Sequence, residues 1–373
     1  MKTIHRHGTA SATLDLIRFL AALAVLLGHA VSRYFGPYDS SGEQSLDELL
    51  FRAIFSGYGS HGVTVFFVLS GYFIGFTVLK NLMHSRFTWK SYVLRRIIRL
   101  WIVLIPGLVI TYTLDYIGVT IFPDNMIYSK GEIFGSISQD SLSLTHLIGN
   151  LFFLQTIAVP TFGTNTALWS LANEFWYYIL FPVFLFIIIS KRIFKKLIYT
   201  LAFLLISAFI GKEIFILFAI WVFGVIIIFL PDASKLKRFH PIKTSLVIFI
   251  LTLVAFRTMP LIEHQVFVRI LVGLLFALSM VFILDSDREI LKPSWYHNIC
   301  RKLGGFSYTL YVLHIPLLGM GRSFFTQGDQ FLDFDLIGYC IFFGSVLTIV
   351  LISYVFAVFT EFKTKRIYRF FKV

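Results

Sequence analysis

Apolar runs of about twenty residues, separated by short polar clusters, recur along this chain, and that length is what a helix needs to cross a bilayer. The pattern predicts about ten crossings, near 14–32, 62–80, 98–120, 168–190, 197–211, 214–230, 244–256, 266–284, 304–324 and 335–359, of which the fifth and seventh are short. His146 to Val159 is apolar over only about fourteen residues, bounded by polar 136–145 and by Pro160 to Asn165. It predicts a re-entrant or interfacial helix rather than a crossing. No internal repeat, heptad run, low-complexity linker or soluble domain interrupts the series. The expected fold class is an all-α polytopic membrane protein, with one integral-membrane domain, 14–360, between an N-terminal segment, 1–13, and a basic tail, 361–373.

Composition agrees: 57% of the 373 residues are hydrophobic, 14% are charged and 43 are Phe, with a mean hydropathy of +0.80. A soluble domain of this length is excluded. The net charge of +13 does not indicate nucleic acid, because the basic residues fall in short clusters between apolar runs. Lys80 to Arg99, Lys191 to Lys196, Lys235 to Lys243, Arg288 to Lys302 and Lys363 to Lys372 are basic, whereas 33–61, 121–145 and 325–334 are poor in Lys and Arg. The positive-inside rule then places both termini in the cytoplasm. A crossing at 146–159 would put Lys191 to Lys196 on the wrong side. The two cysteines, Cys300 and Cys340, support neither a disulfide framework nor a metal cluster. Polar Gly8 to Thr13 and the intramembrane Arg18 argue against a cleaved signal peptide.

The first span carries Asp15, Arg18 and His29 in an otherwise apolar run, and ionisable groups at membrane depth are costly enough to mark a functional site. At 100° per residue, Arg18 and His29 lie within ~20° of each other and Asp15 within ~60° of Arg18. The helical rise separates Arg18 from His29 by roughly 16 Å and puts His29 roughly 22 Å into the span.

The runs LDLIRFLAALAVLLGH (Leu14–His29), GVTVFFVLSGYFIG (Gly62–Gly75), YVLRRIIRLWIVLIP (Tyr92–Pro106), LIGNLFFLQ (Leu147–Gln155), LWSLANEFWYYILFP (Leu168–Pro182) and LGGFSYTLYVLHIPL (Leu303–Leu317) together resemble the membrane-bound acyltransferase family 3. The resemblance extends from Leu14 to the end of the chain and is that of the stand-alone form, without a fused esterase-like domain. It implies O-acyl transfer, most often of acetyl from acetyl-CoA, to a glycan acceptor that is extracytoplasmic or lipid-linked. It also implies residence in a bacterial cytoplasmic membrane among membrane lipids. No permanently bound cofactor, no metal and no nucleic-acid partner is expected.

Arg18 and His29 match the family's arginine–ten residues–histidine signature. His29 is the expected general base, since neutral imidazole accepts a proton near physiological pH; a histidine hydrogen-bonding at the outer helix end is the alternative. Asp15 either orients Arg18 or neutralises it. Arg96 and Arg99, with Arg95 beside them, match the arginine-pair motif of a cytoplasmic loop, where a guanidinium fork suits the phosphates of coenzyme A. The alternative is a positive-inside anchor that binds lipid head groups. Glu174 matches a glutamate of the family, expected to orient a sugar hydroxyl or polarise a histidine. Phe175 stands where many members have a second acid, and Thr64 also stands where an acid is common. Trp169, Trp176 and Tyr177 read as an interfacial belt, with stacking on a sugar as the alternative.

His314, Tyr311, Tyr308 and Ser307 form a polar stripe that either lines the cavity or makes a buried hydrogen-bond network. Gly304 and Gly305 permit close approach of a ligand or a hinge before the helix, and Ser70–Gly71 reads as a helix-packing site. The implied scheme holds the donor nucleotide inside through Arg18 and the Arg96/Arg99 loop, presents the thioester near His29 and admits the acceptor from outside. A transporter or flippase for a lipid-linked glycan or other anion is the rival, but the matched interrupted halves such proteins often show are absent. In a background lacking Cys300 and Cys340, Arg96→Cys should react with an impermeant thiol reagent only from the cytoplasm and Gly59→Cys only from outside. Labelling of both from one face would contradict the charge-based topology.

Overall fold

The computed structural model describes residues 8–38, 45–129, 139–230, 250, 265–285, 287, 295–326, 328 and 330–371. Helices account for nearly all of them, the exceptions being loops and isolated bridge residues such as the pair Gln155 and Val159. The long helices are α1 (Thr9–Phe35), α3 (Gly59–Met83), α4 (Trp89–Ile121), α7 (Trp169–Ile189), α8 (Ile193–Ile227), α9 (Gln265–Asp285), α10 (Trp295–Phe325) and α11 (Leu336–Phe359). Short helices are α2 (Leu46–Phe55), α5 (Met126–Ser129), α6 (Leu144–Leu151) and α12 (Thr364–Phe370). Among the described residues, eight helical stretches are long and apolar enough to cross a bilayer. The chain is an all-α polytopic membrane protein.

One of the eight holds two of the expected crossings. Gly211 breaks α8 with φ 80° and ψ 168°, a conformation open to glycine because it has no Cβ. Phe203 and Phe215 lie on either side of it, and their ring centroids are 6.1 Å apart. On an unbroken helix, twelve residues would separate them by ~18 Å along the axis. The chain therefore doubles back at Gly211, and 197–211 and 214–230 are the arms of one hairpin, with exposed Lys212 and Glu213 at the bend. The expected crossing at 244–256 lies outside the described residues.

Two boundaries differ in a way that matters for the site. α4 begins at Trp89, nine residues before the expected span, so Arg95, Arg96 and Arg99 stand on a helix and not in a loop. Arginine is a good helix former and keeps its charged head at the membrane edge while its stem lies along apolar surface. α10 begins at Trp295, so Gly304 and Gly305 lie inside a helix and are not a hinge before it.

The chain groups into two compact units, Met1–Arg18, Ser60–Arg96 and Asn173–Gly304 in the first, and Phe19–Gly59, Ile97–Ala172 and Gly305–Val373 in the second. In unit 1, α3 and α8 meet backbone to backbone. A Cβ on Gly71 would overlap the Trp221 carbonyl oxygen, and one on Gly224 would overlap the Val68 carbonyl oxygen, the close approach that small residues permit in membrane helices. Trp221, fully buried, fills the space beside this contact, its ring 5.2 Å from Phe181 and 5.8 Å from Phe218. Gly304 serves the same purpose for α10, since its Cβ would stand 2.7 Å from the Asp15 carbonyl oxygen.

In unit 2, α6 has only eight residues, too short to cross, and its continuation through 168 is irregular and, from Phe162 on, largely buried. Such backbone is tolerated at membrane depth only when protein satisfies it, and amide side chains do so here. Asn150 Nδ2 donates to the His146 and Pro160 carbonyls, both at 2.9 Å, and Asn150 Oδ1 accepts from Phe162 N at 3.1 Å. Gln155 Nε2 donates to Leu168 O at 2.8 Å and Trp101 Nε1 to Leu151 O at 2.9 Å. Buried Arg52 on α2 closes the end of α1, donating to Phe35 O and Gly36 O at 2.9 Å each, where a cation also suits the helix dipole.

Gly224→Leu should lower the thermal midpoint of the detergent-purified protein, because forcing extra volume into a closed contact costs ~1–3 kcal/mol. Gly344→Ala, where nothing lies within 4 Å of the added Cβ, should leave it unchanged. Equal midpoints for wild type and Gly224→Leu would show that this contact does not hold unit 1.

Candidate functional site

Unit 2 brings together the two histidines that the sequence placed 285 residues apart. His29, partly exposed, projects from α1, and His314, buried to 1% exposure, projects from α10. His29 Nδ1 lies 3.0 Å from His314 Nε2, and His314 Nδ1 lies 2.6 Å from the Tyr311 carbonyl oxygen. These contacts fix the tautomers of the neutral rings. A carbonyl oxygen can only accept, so His314 Nδ1 carries the proton and its Nε2 is left as an acceptor. His29 Nδ1 must then donate to it. The remaining ring nitrogen, Nε2 of His29, is unprotonated and is the basic atom of the pair.

Proline helps set this arrangement. Pro316 has no N–H for the Val312 carbonyl one turn back, and Asn165 Nδ2 supplies the missing donor at 2.9 Å while also reaching Thr111 Oγ1 at 3.1 Å. The irregular segment after α6 is thereby pinned to α10 within a turn of His314. The stripe upstream makes hydrogen bonds within the unit: Tyr308 donates to Leu100 O at 3.1 Å, Tyr311 OH bonds Ser170 Oγ at 2.7 Å and Ala167 O at 3.1 Å, and Ser307 is fully buried. Of the stripe, His314 alone is hydrogen-bonded to His29.

Sequence reasoning missed buried Arg33, one turn beyond His29, and buried Asp115, which accepts from Thr164 N and Oγ1 at 2.8 Å each. Asp115 and Tyr128 lie within electrostatic reach of the Arg33 guanidinium. Applying the cost of intramembrane charge to the third span, as to the first, would have found Asp115.

Unit 1 holds the other constellation. Glu174 Oε1 accepts from Ser70 Oγ at 2.9 Å and from Tyr178 OH, and Trp221 Nε1 donates to Ser70 Oγ at 3.2 Å. Glu174 is thus bonded to hydroxyls among the described residues. Tyr178 is itself held: Pro182 leaves the Tyr178 carbonyl without its helical donor, and Tyr92 OH replaces it at 2.9 Å. The Arg96 guanidinium lies over the Tyr92 and Tyr178 rings, 5.5 and 5.9 Å from their centroids. Its Nε is buried with no hydrogen-bond partner among the described residues. Tyr177 is fully buried and donates to Ile214 O at 2.9 Å, so it belongs to the core and not to an interfacial belt. Asp15 pairs with Arg18 at 3.2 Å, and Arg18 lies 5.2 Å from the Phe73 ring centroid.

The arginine pair divides between the units. Arg99, in unit 2, is engaged with Glu361 at 2.7 Å, whose second oxygen accepts from Thr309 N at 3.1 Å and Oγ1 at 3.0 Å. Arg95 is exposed. Residues 11–358 match the family model described as an acyltransferase domain, that of acyltransferase family 3. No curated protein and no solved structure matches the chain.

His29→Ala should lower turnover by ~10²–10⁴-fold at unchanged membrane abundance. His314→Ala should also lower kcat, with His314→Gln between it and wild type, because an amide oxygen can still accept from His29 Nδ1. Wild-type kcat in His314→Ala would remove His314 from the mechanism.

Proposed function

The chain belongs to acyltransferase family 3, and on that premise we propose that it transfers acetyl from acetyl-CoA to a hydroxyl of an extracytoplasmic or lipid-linked glycan. The observation that carries this reading is the 3.0 Å contact between His29 Nδ1 and His314 Nε2, which leaves His29 Nε2 as a base. His29 Nε2 takes the proton of the acceptor hydroxyl as its oxygen attacks the thioester carbonyl. The C–S bond breaks, the acetyl group stays on the acceptor oxygen, and the coenzyme A thiolate takes the proton from the imidazolium. While His29 is charged, the hydrogen bond to His314 and on to the Tyr311 carbonyl stabilises it, as an orienting partner does in hydrolytic triads.

Arg96 is the preferred donor-phosphate ligand, because a buried guanidinium nitrogen without a partner suits an anion that brings its own oxygens. Arg95 adds exposed charge beside it. Arg99 has part of its fork committed to Glu361, so its contribution to donor binding is smaller and its structural share larger. Glu174 acts as a positioning residue, holding Tyr178 against the Arg96 guanidinium. The Asp15–Arg18 pair supports the cytoplasmic end of α1. Donor and basic clusters share the cytoplasmic side of a bacterial cytoplasmic membrane, with both termini there.

The test is incubation of purified protein with acyl-labelled acetyl-CoA and free or lipid-linked glycans. Labelled glycan is the expected product; accumulation of a glycan inside vesicles without labelling would favour transport instead. Arg96→Lys should raise the donor KM by ~10-fold, since lysine keeps the charge and loses the fork. Arg99→Lys should act mainly on thermal stability. An unchanged donor KM in Arg96→Lys would remove that residue from donor binding.

A further inference from the structure

Unit 2 contains a second feature that the chemistry at His29 does not use. A cavity of about 530 Å³ is lined by Tyr34 of α1, by α10 from Leu317 to Phe325 and by α11 from Cys340 to Ile352, a volume in the range of small-molecule sites. Its rim, with Phe324, Phe325 and Ile352 exposed, belongs to helices apolar enough to cross a bilayer. In a membrane that face meets hydrocarbon. Small residues normally let membrane helices close on each other, as Gly71 and Gly224 do. Gly344 instead has nothing within 4 Å of where a Cβ would stand, so the small residue keeps a groove open.

The groove has a polar point on its floor. Tyr34 is fully buried, and its hydroxyl makes no hydrogen bond of good geometry, the Ser345 hydroxyl being the neutral polar group beside it. A buried hydroxyl of this kind calls for an oxygen from a ligand. The groove lies close along the chain to the histidine pair: Leu317 follows His314 by three residues on α10 and Tyr34 follows His29 by five on α1.

We propose that this groove holds the hydrocarbon chain of the lipid that carries the acceptor, a proposal that rests on the acyl-transfer reading above. The chain enters sideways from the bilayer between α10 and α11, and a lipid oxygen reaches Tyr34. The group to be acylated is thereby tethered near His29, so binding of the carrier lowers the KM for the acceptor without altering the chemical step.

The experiment compares a polyprenyl-phosphate-linked glycan with the same glycan released from its lipid, using wild type, Gly344→Phe and Gly344→Ala. Wild type and Gly344→Ala should show a KM about tenfold or more lower for the linked form. Gly344→Phe should lose that advantage while its rate on the released glycan is unchanged. Retention of the advantage in Gly344→Phe, or its absence in wild type, would overturn the proposal. Should neither glycan be acetylated, the acyl-transfer reading fails, and the groove is still tested through Cys340, a free and exposed thiol on its wall. In a Cys300→Ser background, polyprenyl phosphate should slow the reaction of Cys340 with a lipophilic maleimide, but not in Gly344→Phe. No slowing, or equal slowing by phosphatidylglycerol vesicles, would overturn the assignment of the groove to the carrier lipid.

Discussion

A histidine nitrogen 2.6 Å from a carbonyl oxygen must carry a proton, because the oxygen offers only lone pairs. That contact, between His314 and the Tyr311 backbone one turn earlier, fixes both rings of the pair and through them the chemistry available at His29. A helix carbonyl is a rigid reference point, and burial of His314 keeps water from competing for it. The basic nitrogen of His29 is therefore set by the backbone of α10, and moving α10 relative to α1 would cost the site its polarity as well as its shape.

The surrounding polar side chains answer one constraint, that backbone groups in a membrane must find partners inside the protein. Two helix prolines each leave a carbonyl without its donor, and each carbonyl is taken by a side chain from elsewhere: Val312 by Asn165, and Tyr178 by Tyr92. The first tie anchors the buried irregular segment to the helix that bears His314. The second fixes the tyrosine beside Arg96. Residues that look like excess polarity in an apolar chain are, at these positions, replacements for missing N–H groups. The Glu361 carboxylate works in the opposite sense, accepting from Arg99 of α4 and from Thr309 N of α10 and so joining the two helices.

Helix identity was legible wherever an apolar run was long and uninterrupted, as at 168–190, 266–284 and 335–359, which lie within a residue of α7, α9 and α11. It failed at helix ends. Hydropathy stops at the first arginine, whereas a helix continues as long as propensity allows, so α4 and α10 each start nine residues early. His29 was legible because its spacing from Arg18 carries a family signature, and His314 because it lies in a family motif. Their direct contact was not, since nothing in a single sequence pairs positions 285 residues apart. Arg33 and Asp115 escaped for a different reason: each is one charge in an otherwise ordinary run. Tyr177 was misread because aromatic residues near a span end fit a belt and a core equally well until packing is seen.

The central claim is the protonation pattern of the histidine pair, and nitrogen NMR of histidine-labelled protein in membranes measures it directly, with His29→Ala and His314→Ala supplying the assignments. Distinct shifts of protonated and unprotonated ring nitrogens should place a proton on Nδ1 of both His29 and His314, with both Nε2 atoms unprotonated. A proton on Nε2 of neutral His29 would contradict the account, because the atom assigned as the base would then be unable to accept one.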